Sequence, residues 1–188
     1  MREEILQRIR QNKPQLRPLP KIPDFAPLRE DLVAHFKEVA QGAAIEVLEE
    51  EEGITTVVAQ QYPEAKQIVA PAYPELQTVA ITQESPLEVL QNIDLLVLEA
   101  EWGVAENAAL WLSEVRMLRR VLPFITQHLI LVLPQVQLLA NMHQAYARIN
   151  LTEQGFGLFV AGPSKTADIE QSLVIGAQGA RSLTVVLT

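Results

Sequence analysis

The run Asp94-Leu-Leu-Val-Leu-Glu99 is apolar at every position between its terminal carboxylates, and His128 to Leu133 (HLILVL) is again continuously apolar. A strand that is apolar on both faces has to be covered on both faces, the condition of a strand inside a parallel sheet. Around these two runs the chain alternates short strand-like and helix-like segments. Leu28 to Ala40 repeats apolar residues at Leu32, Val33, Phe36 and Val39, a helical spacing that Gly42 ends. Ala43 to Leu48 and Ile54 to Ala59 are expected to be two strands on either side of the acidic tip Glu49 to Glu52. Tyr62 to Ala70 reads as helical and Leu76 to Thr82 as a β-branched strand. Ser85, Pro86 and Glu88 are spaced as the capping box of a short helix through Leu90.

Downstream, Ala105 to Leu112 suits a strand or a helix. Val115 to Leu122 has a helical period that stops at Pro123, Val136 to Ile149 is an amphipathic helix, and Leu183 to Leu187 is a final strand. Leu158 to Ala161 is a strand-like run that empties into Gly162-Pro163-Ser164-Lys165-Thr166, with a helix expected to follow. This alternation specifies a three-layer α/β/α domain with a largely parallel sheet. It occupies residues 28–188, preceded by residues 1–27. In that leader Ile5, Leu6 and Ile9 make an amphipathic helix, and five prolines between Pro14 and Pro27 make an extended connector.

The chain has 188 residues, 48% of them hydrophobic, enough for one well-cored domain. Its formal charge of −8 argues against a nucleic-acid surface. It contains no cysteine, so it has no thiolate ligands for an iron–sulfur cluster. No apolar run approaches the roughly 20 residues that span a bilayer, and Met1 to Gln11 lacks the hydrophobic stretch of a signal peptide. A cytoplasmic location is expected.

A loop that opens a helix presents unpaired N–H groups and the positive end of a dipole, and Ser164, Lys165 and Thr166 would add donors. A small-anion site is therefore expected at Gly162 to Asp168, with Gln178, Gly179 and Arg181 from the next glycine-bearing turn. Arg181 is suited to pairing a carboxylate, or to bridging Asp168. Because ligands collect at the carboxyl ends of parallel strands, Glu99, Glu101 and Glu106 are candidates for a general base or carboxylate nucleophile. The cluster at Gln178 to Arg181 joins the others there only if its loop folds back or its strand runs antiparallel. Other signatures fail: Pro163 and Ser164 separate Gly162 from Lys165-Thr166, so the phosphate-cradling P-loop spacing is not met. His35, His128 and His143 lack metal-ligand spacing, and Ser113 has no glycine elbow.

The segment GPSKTADIEQSLVIGAQGARSLTVVL closely resembles the C-terminal signature of the LUD-domain family, that of lactate-utilisation protein C, in which G-P-S-x-T-A-D-I-E precedes G-x-H-G-P and a last strand. Val104 to Leu112, Arg120 to Pro123 and the strand after His128 resemble that family's A-[DE]-T-G-T-L region and its leucine-proline segment. The resemblance implies a fold similar to the NagB/RpiA/CoA-transferase group. It also implies a part in oxidising L-lactate to pyruvate as a non-cluster subunit, with iron–sulfur clusters on partner subunits and no cofactor on this chain, which agrees with the missing cysteines. A small carboxylate or phosphate ligand, and self-association, are compatible with it. The alternatives are a stand-alone sugar-phosphate isomerase or acyl-CoA transferase using the glutamates, or a non-catalytic scaffold docking through its N-terminal helix. Gln178 stands where the family has histidine, Ala180 where it has proline, and Asn107-Ala108 where it has Thr-Gly. Histidine-dependent proton transfer is thereby excluded at Gln178, although an amide can still orient a ligand.

Overall fold

Alternate side chains of the strand His128–Leu133 enter two separate cores: Leu129, Leu131 and Leu133 pack on one side, Ile130 and Val132 on the other. In the computed structural model, which describes residues 1–18, 20–49, 53–150, 155–167, 173–176 and 179–188, this strand (β6) is the middle of a five-stranded sheet. Ser182–Leu187 (β11) and Leu95–Glu99 (β3) flank it, and Ile45–Glu49 (β1) and Ile68–Val69 (β2) form the edges. All the pairings are parallel, in the order β1-β11-β6-β3-β2.

One face of this sheet is covered by helix α3 (Ile54–Gln61) through Ile54 and Val58. The other face packs on helix α2 (Leu32–Gly42), through Phe36 and Ala40, and on a smaller sheet. That smaller sheet contains β4 (Trp102–Val104), β5 (Ala109–Ser113), β7 (Leu138–Leu139) and β8 (Gly157–Val160), ordered β7-β4-β5-β8. Its outer face, with Trp102, Trp111 and Leu139, is closed by Ala145 of helix α6 (Met142–Arg148). The arrangement is the expected three-layer α/β/α with a mostly parallel central sheet, one outer layer containing the second sheet. The leading helix α1 (Arg2–Gln11) buries no side chain, and Ile5 and Ile9 stay mostly exposed. The connector is fastened at Phe25, which stacks on His143 at 4.5 Å and accepts a bond from Asn141 Nδ2 through its carbonyl.

Several sequence expectations give way to tertiary structure. Ile54 to Ala59 is helical, because Ile54 and Val58, four residues apart, both enter the core; that burial outweighs the β preference of its valines and threonines. Tyr62 to Ala70 is not a helix. The Asp94 carboxylate accepts the Lys66 and Gln67 N–H groups at 2.9 and 2.8 Å and holds that backbone extended into β2. Leu76 to Thr82 forms no strand, since Thr78 bridges back by side chain, accepting from Ile68 N and donating to Lys66 O.

Helix α4 is Leu87–Leu90, but the expected capping box is absent because the Ser85 hydroxyl accepts from Thr82 N instead. In place of a helix to Leu122 there is a 3₁₀ turn, Glu114–Met117, and Pro123 lies in the first turn of a new helix, α5 (Leu122–Ile125). The span Val136 to Ile149 divides into part of a 3₁₀ turn, β7 and α6. The helix expected after Gly162-Pro163-Ser164-Lys165-Thr166 falls mostly outside the described residues; Lys165–Ala167 is strand β9, paired antiparallel with β10 (Leu173–Ile175).

The smaller sheet depends on a close approach at Gly157. A Cβ there would lie 2.2 Å from the Trp111 ring, which itself stacks on Trp102 at 5.9 Å and tilts against Phe159 at 4.7 Å. Gly157→Ala is expected to destabilise the chain by about 1–3 kcal/mol through overpacking, lowering the thermal midpoint by roughly 2–4 °C per kcal/mol. Unfolding followed by the fluorescence of the two tryptophans checks it.

Candidate functional site

The sequence-derived site residues fall at opposite edges of the central sheet. β11 runs parallel to β6, so Ala180 and Arg181 lie at the amino edge. The loop after β8 also reaches that edge: Ser164 N–H donates to Ala180 O at 2.9 Å, Gly176 N–H donates to Ser164 O at 2.9 Å, and Lys165 Nζ donates to the Ala43 carbonyl at 2.5 Å. Gly162 and Gly179 are at φ +128° and +154°, and a Cβ on Gly162 would meet Ala43 O at 2.9 Å. Only glycine allows both that conformation and that approach. The register Leu110↔Val160 brings the tip of the β4–β5 hairpin level with Gly162. The end of β8 with the loop after it, the segment around Phe124 and the turn at Gly179 line a cavity of about 300 Å³, with Leu158, Gly162, Ser164 and Lys165 at its wall; the hairpin tip does not line it.

Among the described residues no helix opens at this loop, since Lys165 and Thr166 begin a strand. Asp168 and Gln178 lie outside the described residues, as does the side chain of Thr166. Arg181 does not line the cavity. It sits beside His128, which opens β6, and its positive charge disfavours protonation there. His128 Nδ1 is 2.7 Å from Ser182 Oγ, and the Tyr62 hydroxyl reaches Ser182 and Thr184 at 3.1 and 2.8 Å. Sequence reasoning does not find this polar group. Its only signal is a polar residue at the start of each apolar strand, and the contacts between strands are long-range.

Of the three glutamates, two come together and one does not. Glu99 ends β3 and Glu101 lies two residues on. Arg116 reaches both, with Nη1 at 2.7 Å from Glu99 Oε2 and Nε at 3.9 Å from Glu101 Oε1. They line a cleft of about 640 Å³ at the carboxyl edge, together with Tyr73, Gln137 and Arg148. Glu106 is elsewhere: its carboxylate accepts the Met142 N–H at 2.7 Å at the start of α6, where Asn141 Oδ1 also caps by accepting from Gln144 N. It is a helix cap. Among the described residues no group of three or more His, Asp or Glu is placed to hold a metal ion, and no helix is long and apolar enough to cross a membrane.

This architecture and these loops match a known family. The LUD domain family matches residues 24–188, and the chain belongs to it. Membership ties the chain in general terms to lactate utilisation. The fold is similar to the crystal structure of a DUF162 family protein from Deinococcus radiodurans, with a TM-score of 0.60 and 16% identity over 84% of this chain and 96% of that one. No curated protein matches the chain.

The amino-edge network has a pH signature. Burial is the main cause that lowers the His128 pKa below its ordinary 6.5; Arg181 adds to this and Asp94 opposes it. The unfolded chain therefore binds this proton more readily than the folded one. The resulting stability is present above about pH 6.5 and is lost as pH falls through the lower folded value. Urea midpoints are expected to decline on acidification through that window, and His128→Gln is expected to flatten the decline.

Proposed function

We propose that this chain is a non-cluster subunit of an L-lactate oxidation system, lactate to pyruvate, and holds a small carboxylate or phosphate-bearing ligand at the loop Gly162 to Lys165. The single observation that carries the ligand part is the cavity at that loop, with Ser164 and a lysine ammonium at its wall and glycine backbone on two sides. A cavity of about 300 Å³ suits a small molecule. Lys165 is exposed and long enough to exchange its bond to the Ala43 carbonyl for one to an anion. The subunit part is supported by family membership, and a chain without cysteine is in keeping with clusters carried by partner chains.

Titration calorimetry with L-lactate, pyruvate and inorganic phosphate tests the ligand. One of them is expected to bind saturably, and Lys165→Ala to weaken it about tenfold or more through loss of a charge-assisted bond. Equal affinity in wild type and Lys165→Ala, or no heat from any of the three, would remove the loop from the proposal.

A further inference from the structure

The cleft at the carboxyl edge is separate from that loop and contains one carboxylate held from within. Glu101 keeps only 20% of its side chain exposed, and its Oε1 accepts the hydroxyl of the buried Ser113 at 2.5 Å. That bond fixes the carboxylate. Among the described residues no donor meets its other oxygen, Oε2. The backbone that carries Arg116 is constrained as well, because its 3₁₀ turn ends in a strained reversal. Leu118 adopts φ 59°, ψ −56°, a γ-turn conformation rarely taken by a side-chain-bearing residue, closed by Arg119 N–H to Met117 O at 2.6 Å.

The surroundings hold that strain in place. Arg119 Nη1 donates to the carbonyls of Thr82, Gln83 and Ser85, and Gln83 Nε2 donates to Leu118 O at 2.8 Å. Strain maintained in this way collects beside ligand sites, because it fixes a group where free packing would not leave it. Parallel sheets gather ligands at this same edge.

The lining determines the class of ligand. Two carboxylates, Glu99 and Glu101, and two guanidiniums, Arg116 and Arg148, bring both signs of charge into one cleft. Bringing in a simple anion would set it against both carboxylates, and a simple cation against both guanidiniums. A molecule carrying both an ammonium and a carboxylate meets the free Glu101 oxygen with one group and an arginine fork with the other. We propose that the cleft bounded by Glu99, Glu101, Arg116 and Arg148 binds an α-amino acid.

The test titrates the full chain with the common L-amino acids and, for the best of them, with the α-hydroxy acid in which hydroxyl replaces ammonium; L-alanine and L-lactate are one such pair. At least one amino acid is expected to bind saturably, and its hydroxy analogue at least about tenfold more weakly. Glu101→Gln and Arg116→Gln should each reduce affinity about tenfold or more, with thermal midpoints recorded to establish that both variants fold. Arg116→Lys, which retains charge but not the fork, is expected to lie between and serves where Arg116→Gln does not fold. Lys165→Ala should leave this binding unchanged. A hydroxy analogue that binds as tightly, binding that survives both carboxyl-edge substitutions or disappears with Lys165→Ala, or no amino-acid response at all would overturn the proposal. Because L-lactate is also a ligand proposed for the loop, the amino acid and its hydroxy analogue are compared in the Lys165→Ala chain, and the loop is read separately through the loss of lactate, pyruvate or phosphate binding between wild type and that variant.

Discussion

Burial of β6 on both faces is the constraint on which the rest of the structure depends. A strand of five consecutive buried apolar residues can be satisfied only by parallel neighbours and by two covering layers. Parallel neighbours in turn require that each crossover leave at the carboxyl edge and return to the amino edge. The two crossovers next to β6 carry most of the candidate chemistry, and the direction of travel decides where each part lies. Glu99 and Glu101 are met just as the chain leaves β3, so they stay at the carboxyl edge. Gly162 to Lys165 and Gly179 to Arg181 are met as it returns toward β11, so they lie at the amino edge. The separation of the two sites is a consequence of the parallel topology.

The same constraint explains why so much of the fold, and less of the site, is legible in the sequence. Runs such as Asp94 to Glu99 and His128 to Leu133 are decided locally: an unbroken apolar stretch of strand length has few other uses. Segments whose form depends on distant partners mislead a local reading. The stretch Ile54 to Ala59 has strand composition but helical burial, and Tyr62 to Ala70 is held extended by a carboxylate 27 and 28 residues away. In the site, the grouping of Glu99 with Glu101 is recoverable from their spacing along an extended chain. The grouping of Ser164 with Ala180, and of His128 with Ser182, is not, because each pair meets through parallel pairing of strands distant in sequence.

Charge is used differently at the two edges. At the amino edge Asp94 is held ionised by two backbone N–H groups, so its pKa lies below the ordinary carboxylate value. His128, partly buried beside Arg181, is held toward its neutral form. This polar network is satisfied from within and ties β11 and β6 to Tyr62. At the carboxyl edge both signs of charge face one cleft, and among the described residues Glu101 takes a hydrogen bond, from a buried serine, on one oxygen only. A network that satisfies itself stabilises the fold, whereas one that leaves a fixed acceptor facing a cleft is positioned for a ligand.

The departures from the family pattern have the same logic. At Ala180, where the family has proline, the group used is the carbonyl, which accepts Ser164 N–H; proline supplies the same carbonyl, and no described backbone bond takes the Ala180 N–H. Asn107 accepts the Ala109 N–H at 3.1 Å with its side chain, a turn-closing bond that a threonine hydroxyl can also make. Ala108, where the family has glycine, still adopts φ 54°, at a cost of about 1–2 kcal/mol for a residue with a Cβ. Glycine at that turn would adopt the same backbone without this cost. Of Asn107, Ala108 and Ala180, only Ala180 lines the cavity at the loop. Substitution there keeps the carbonyl that holds Ser164, whereas the amide of Gln178 cannot perform the proton transfer of a histidine.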